Sequence, residues 1–191
     1  MKRRKFLKKN VILAAAPFVT SGLLARSFSN KMISERPFKL NYAPHFGMFK
    51  NNAGSDLLDQ LQFMHDQGFR SLEDNGMKGR SKKVQNNIAK KMERLGMEMG
   101  VFVGHKIYWR EPNLTSGDKS LQDEFVNNIK DSVEVAKRVN ATWMTVVPGH
   151  VDLKKEMAYQ TANVVEALRR ASDVLEPHNL VMVLEPLNWW S

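Results

Sequence analysis

From Phe38 to Leu184 the chain switches repeatedly between two apolar rhythms. Short runs with apolar residues at alternate or successive positions read as strands. Longer runs with apolar residues three and four apart read as helices. Phe38–Tyr42 is the first strand. Leu57, Leu58, Leu61 and Met64 then line a helix that Ser55 can cap and Gly68 can end. Phe69–Glu73 is a second strand, followed by a helix from Ser81 to Gly96 with Val84, Ile88, Met92 and Leu95 on one stripe. Met97–Val103 is a third strand. Leu121, Phe125, Ile129, Val133 and Ala136 define a long helix ending near Asn140. Trp143–Val147 is a fourth strand. Ala158, Thr161, Val165, Leu168 and Leu175 mark a helix stopped at Pro177, and Val181–Leu184 is a fifth, wholly apolar strand.

The order is therefore β-α-β-α-β-α-β-α-β. Strands start near residues 38, 69, 97, 143 and 181, at intervals of 31, 28, 46 and 38. Those are lengths of βα units, in which each strand returns parallel to the last through a right-handed crossover. The long third interval holds an extra loop, Lys106–Lys119, with Trp109, Pro112 and Gly117. No low-complexity linker divides the body.

Doubly wound sheets and (β/α)8 barrels share this order. A nucleotide-binding doubly wound fold carries a glycine-rich phosphate loop after its first strand. Here that segment is Ala43-Pro44-His45-Phe46-Gly47-Met48-Phe49, which lacks the pattern. Polar residues instead collect where strands end. Asn41 and His45 follow strand one, and Glu73 ends strand two. His105 follows strand three, His150 strand four, and Glu185 with Asn188 strand five. In a barrel this end of every strand lines the active-site mouth. The expected fold is thus α/β, a (β/α)8 TIM barrel. A full barrel needs about 250 residues and eight strands. The sequence has room for about five βα units, so it is expected to be the N-terminal part, residues 31–191, of a longer enzyme.

Charge separates this body from its leader. The 191 residues carry 29 basic and 20 acidic groups, a formal net charge of +9. Seven of the basic groups (Lys2, Arg3, Arg4, Lys5, Lys8, Lys9 and Arg26) lie in the first 29 residues, which hold no acid. The remainder has 22 basic and 20 acidic groups, close to neutral, unlike the surface of a nucleic-acid binder. The basic start is followed by an uncharged stretch, Val11–Ala25, too short and interrupted for a comfortable bilayer span. That is the layout of an export signal. Arg3-Arg4-Lys5-Phe6-Leu7-Lys8 resembles the core of the twin-arginine signal. Residues 1–30 are therefore read as a twin-arginine signal peptide. The expected location is periplasmic or secreted, with membrane contact only through the signal and anchorage if it stays uncleaved. The absence of cysteine excludes disulfides, thiolate nucleophiles and cysteine-bound metal.

Several motifs carry a family likeness. Leu184-Glu185-Pro186-Leu187-Asn188 resembles the fifth-strand motif of hydroxypyruvate isomerase and its sugar-isomerase relatives, the xylose isomerase-like barrels. That group also includes ketose 3-epimerases and, more distantly, apurinic endonucleases. Gly68-Phe69-Arg70, with Glu73 three residues on, resembles their second strand. Val147-Pro148-Gly149-His150, and Tyr159-Gln160 with Asn163, look like a secreted hydroxypyruvate isomerase-like subgroup.

The resemblance implies an isomerase interconverting aldose and ketose, or hydroxyaldehyde and ketone, through an enediolate. Its partner would be a small sugar or hydroxy-keto acid. It implies that Glu185 binds a divalent metal, Mg²⁺ or Mn²⁺, and exchanges protons with substrate. The remaining ligands would come from strands six to eight, so the set within this sequence is incomplete. His105, Glu73, His45, His150 and Asn188 would contact substrate. Each has a plainer alternative. His105 could be hydrogen-bonded within the rim, and Glu73 could pair with Arg70 or Arg80. His45 and His150 could cap turns, and Asn188 could hold its loop. Trp109, Trp189 and Trp190 could wall a sugar pocket or simply pack. Two other readings stand beside the enzyme: a non-catalytic fragment or carbohydrate-binding relative without a complete metal site, and a DNA-repair nuclease, against which the near-neutral body speaks. Open sheet edges in five units further imply a homo-oligomer.

Overall fold

The computed structural model describes residues 38–187. The signal-peptide reading of residues 1–30 and the expectations for Asn188, Trp189 and Trp190 lie outside the described residues. The helices are α1 (Lys50–Ala53), α2 (Leu57–Asp66), α3 (Lys82–Leu95), α4 (Lys119–Val139) and α5 (Met157–Leu175). The strands are β1 (Ser71–Leu72), β2 (Glu98–Met99), β3 (Trp143–Val146) and β4 (Val181–Leu184). Short 3₁₀ turns occupy Met77–Gly79 and Glu176–His178.

Local chemistry sets the helix ends. The Ser81 hydroxyl accepts from the Val84 N–H at 3.3 Å to start α3, and Gly96 closes it with φ 63°. Asp118 caps α4 by accepting from the Ser120 N–H at 2.7 Å, and Asn140 ends it in the left-handed region. Asp56, not Ser55, caps α2. Its carboxylate accepts from the N–H groups of Leu58 and Asp59 at 2.7 and 3.1 Å.

The strands pair in chain order. β1 lies parallel to β2, and β3 lies parallel to β4 in the register Trp143↔Val181 to Val146↔Leu184. Single parallel bridges, His45↔Glu73 and Val103↔Thr145, extend the sequence of neighbours at one side and join the two pairs. Five consecutive segments therefore stand side by side, each next to its predecessor. A doubly wound sheet reverses direction partway through its strand order. This arrangement is instead an arc of a barrel. The helices follow the same rule, with α2 against α3, α3 against α4, and α4 against α5.

The core lies between helices and sheet. Ile88 and Met92 of α3, Phe125, Ile129, Val133 and Ala136 of α4, and Leu72, Phe102, Met144 and Val146 from the staves are all buried. Gly104 explains how closely stave three approaches α4 and β3. A Cβ there would lie 2.8 Å from Met144 Sδ and 3.3 Å from Ile129 Cδ1. Met144 thus faces α4. By strand alternation Thr145, its register partner Val183, and then Glu185 face the concave side.

Two elements differ from expectation. Phe38–Tyr42 forms no strand; stave one contributes only the bridge at His45. Its rings are used locally, Phe38 stacking on Phe69 with centroids 4.9 Å apart and meeting Tyr42 edge-on at 5.6 Å. The buried face of α5 is only partly the expected one. Leu175 is buried and Leu168 packs against the core, but Ala158, Thr161 and Val165 are exposed, and Gln160, Ala167 and Ala171 are buried.

Candidate active site

Because the staves are parallel, their C-terminal ends share one rim. At the first junction His45 Nε2 lies 3.4 Å from Glu73 Oε1, and the Glu73 N–H donates to the Pro44 carbonyl at 3.1 Å. Backbone and side chain thus tie stave one to stave two at the same pair of residues. Glu73 is paired with His45, neither with Arg70 nor with Arg80.

Arg80 belongs to Asp74, which the sequence reading passed over. Its Nε donates to Asp74 Oδ2 at 2.6 Å and its Nη2 to Oδ1 at 3.1 Å. Asp74 is buried, and the guanidinium also lies over the Phe46 ring. The partner makes that burial tolerable. Gln85, buried on α3, donates to the Met77 and Arg80 carbonyls and so holds the turn that presents Arg80.

His105 is buried behind the rim. Its Nε2 accepts the Val147 N–H at 3.0 Å, which places the ring proton on Nδ1, and the ring meets Phe125 edge-on. Burial drives its pKa down to about 4, a backbone hydrogen bond at Lys106 opposing the shift and the Lys78 charge adding to it. The imidazole is therefore neutral at physiological pH and joins the exits of staves three and four. Lys78 stands nearby. Its ammonium donates to the Gly104 carbonyl at 3.1 Å and to the backbone and side-chain oxygens of Asn128 at 2.7 and 2.8 Å. Burial lowers its pKa, Asp131 opposing.

The exit of β3 carries Gly149 and His150. The His150 carbonyl accepts the Thr115 hydroxyl at 2.5 Å, so this loop is clasped to the long loop after stave three. Gly149 has φ 97°, and a Cβ there would stand 1.7 Å from Asn113 Oδ1. Among the described residues that oxygen is buried with no hydrogen-bond partner.

Glu185 ends β4. Its N–H donates to the Val146 carbonyl at 3.0 Å, continuing the ladder, and its side chain is exposed. A carboxylate is a hard oxygen donor of the kind Mg²⁺ or Mn²⁺ takes. Among the described residues, no group of three or more His, Asp or Glu side chains is placed to hold a metal ion.

The structure thus brings His45 to Glu73 and His105 to the β3 exit. It places His150 in the clasped loop and Glu185 on the concave side of the same rim. These features define an incomplete α/β barrel with its polar residues at the C-terminal ends of the staves. The family model described as xylose isomerase-like TIM barrel matches residues 61–191, and the chain belongs to that family. No curated protein matches the sequence.

Solved structures agree on the fold. D-psicose 3-epimerase from Clostridium cellulolyticum superposes with TM-score 0.60 at 17% identity, over 78% of this chain and 53% of that one. A family 2 AP endonuclease from Brucella melitensis gives 0.58 at 16%, over 76% and 55%. IOLI protein, solved with a bound zinc atom, gives 0.56 at 16%, over 76% and 52%. The chain spans about half the length of these relatives.

Proposed function

We propose that the protein is a sugar or hydroxy-keto acid isomerase or epimerase of the xylose isomerase-like class, with Glu185 as its acid–base carboxylate. What supports this reading is the position of Glu185 directly after β4, at the strand-end rim, with its N–H continuing the ladder to Val146. A rigid strand end fixes a carboxylate well enough to take a proton from a carbon beside a carbonyl and return it to the neighbouring carbon. His45 and Glu73, half-exposed at the same rim, would receive substrate hydroxyls. His105, neutral and engaged with Val147, would keep two stave exits at fixed spacing. A divalent cation would supply Lewis-acid polarisation of the carbonyl, with Glu185 among its ligands. The zinc in the IOLI structure supports that cofactor class.

Solvent exchange tests this. Incubation of the full-length protein with a ketose and Mn²⁺ in D₂O should place deuterium on the carbon next to the carbonyl, read by NMR. Glu185→Gln should reduce the rate by about 10²-fold or more. No exchange, together with no saturable Mn²⁺ binding in calorimetry, would favour the carbohydrate-binding relative without a complete metal site.

We also propose export by the twin-arginine route, on the Arg3-Arg4-Lys5-Phe6-Leu7-Lys8 motif. Replacing both arginines by lysine should leave the protein in the cytoplasm on fractionation. Unchanged export would remove the proposal.

A further inference from the structure

We infer that a buried glutamine in the first turn of each of α2–α5 is a positioning residue for the rim, and that Gln60 by this means fixes His45 there; the part given to His45 rests on the activity proposed above. Gln60, Gln85, Gln122 and Gln160 are the buried glutamines among the described residues. They stand one each on α2, α3, α4 and α5. Each is four residues after its helix cap, which is Asp56, Ser81, Asp118 and Glu156 in turn. In all four the glutamine N–H donates to the cap carbonyl, at between 3.0 and 3.2 Å. The residues between cap and glutamine differ: Leu57-Leu58-Asp59 on α2, Met157-Ala158-Tyr159 on α5. The glutamine is what recurs.

Helix geometry explains the position. A side chain in the first turn leans back toward the helix N-terminus, so it reaches past the cap into the preceding loop. In a βα unit that loop leaves the C-terminal end of a strand, which is the rim. A glutamine amide has one accepting oxygen and two N–H donors, enough to hold a loop at more than one point. Gln60 Oε1 accepts the Gly47 N–H at 2.7 Å, and its Nε2 donates to the Gly54 carbonyl at 2.9 Å. Gln160 Oε1 accepts the Asp152 N–H at 2.7 Å, and its Nε2 donates to the carbonyls of Asp152 and Lys155 at 2.9 and 3.0 Å. Gln85 holds the Met77 and Arg80 carbonyls, while its oxygen accepts from Arg138 of α4. On α4, which follows the long loop, the hold passes through a neighbour. Gln122 donates to the Asn163 carbonyl at 3.4 Å, and the Asn163 amide donates to the Thr115 carbonyl of that loop at 3.0 Å.

Gln60 bears on the proposed site most directly. Gly47, with φ 92°, lies inside the turn His45–Met48, where the Met48 N–H donates to the His45 carbonyl at 3.4 Å. Holding Gly47 and Gly54 fixes both ends of the loop that follows His45. His45 is thereby presented to Glu73, 3.4 Å away. A loop set in advance has little freedom left to lose when substrate arrives.

Amide hydrogen exchange of the full-length protein, read residue by residue by NMR, tests the clasp. In the unmodified protein the Gly47 and Asp152 amides should exchange at least about tenfold slower than in an unstructured peptide. Gln60→Met keeps the volume and removes both hydrogen bonds. It should speed Gly47 exchange about tenfold and leave Asp152 alone, and Gln160→Met should do the reverse. Gln60→Glu keeps an accepting oxygen and should preserve the protection of Gly47. The kinetics of deuterium incorporation with D-fructose test the consequence for the site. Gln60→Met should raise KM about fivefold with kcat unchanged, as expected when a group that binds substrate is displaced. Unprotected Gly47 and Asp152 amides in the unmodified protein, or equal acceleration of both by either Met variant, overturn the inference. Loosening of Gly47 that leaves KM unaltered overturns the positioning of His45. Absence of deuterium incorporation by the unmodified protein overturns the activity reading and not the clasp, which the amide pattern decides.

Discussion

At the scale of single residues, the Asp74–Arg80 pair shows how burial sets the cost of a change. Asp74 is buried, and the Arg80 guanidinium meets its carboxylate with two hydrogen bonds. Arg80→Ala should lower stability by about 3–5 kcal/mol, since it leaves that carboxylate buried without a partner. Asp74→Asn together with Arg80→Gln should cost less, and urea denaturation compares them. His105 predicts a pH dependence. Its folded pKa of about 4 lies below the ordinary 6.5, so the unfolded chain binds the proton first. Its contribution is whole above pH 6.5, falls as the pH drops from 6.5 to 4, and levels off below that, a loss of roughly 3 kcal/mol. His105→Gln should flatten that part of the stability–pH curve. Gly149→Ala should destabilise by about 2 kcal/mol or more, through its positive φ and the collision with Asn113. Adding Asn113→Ala should recover the collision part alone.

At the scale of elements, what the sequence disclosed was whatever depends on near neighbours. The Ser81 and Gly96 ends of α3, the α4 stripe and the span of β4 are local matters of capping, spacing and apolar runs. Ser81→Ala should lower the thermal midpoint by an amount equivalent to about 1 kcal/mol, because the Val84 N–H loses its acceptor. What the sequence hid depends on distant partners. Gln160 is polar, yet it is buried because the N–H and carbonyl of Asp152 and the carbonyl of Lys155 satisfy its amide. Apolar spacing along α5 therefore located Leu168 and Leu175 but not Gln160. Phe38–Tyr42 alternates like a strand, but Phe38 stacks on Phe69 and the segment forms no ladder. The rim positions of His45, Glu73 and Glu185 were visible as polar residues at strand ends. Asn41 is not among them, because its amide donates to Glu98 at the start of β2, the opposite end. That Glu73 meets His45, and Asp74 meets Arg80, was not visible, because the two faces of a strand end are told apart only by what stands beside them.

At the scale of the whole molecule, the arc has an uncovered side. β4 has β3 as its ladder partner among the described residues, and Trp143, Val181 and Leu184 are about half exposed there. Apolar strand edges invite further pairing. The chain should associate with rising concentration, and Val181→Lys should shift light scattering toward the monomer mass. A sharp monomer peak for the unmodified chain would contradict this. The order of the staves has another consequence. Because each described stave after the first pairs with the one synthesised just before it, none of these pairs waits for a distant mate. The wall can rise course by course as the polypeptide emerges from the ribosome, each new unit laid on finished masonry.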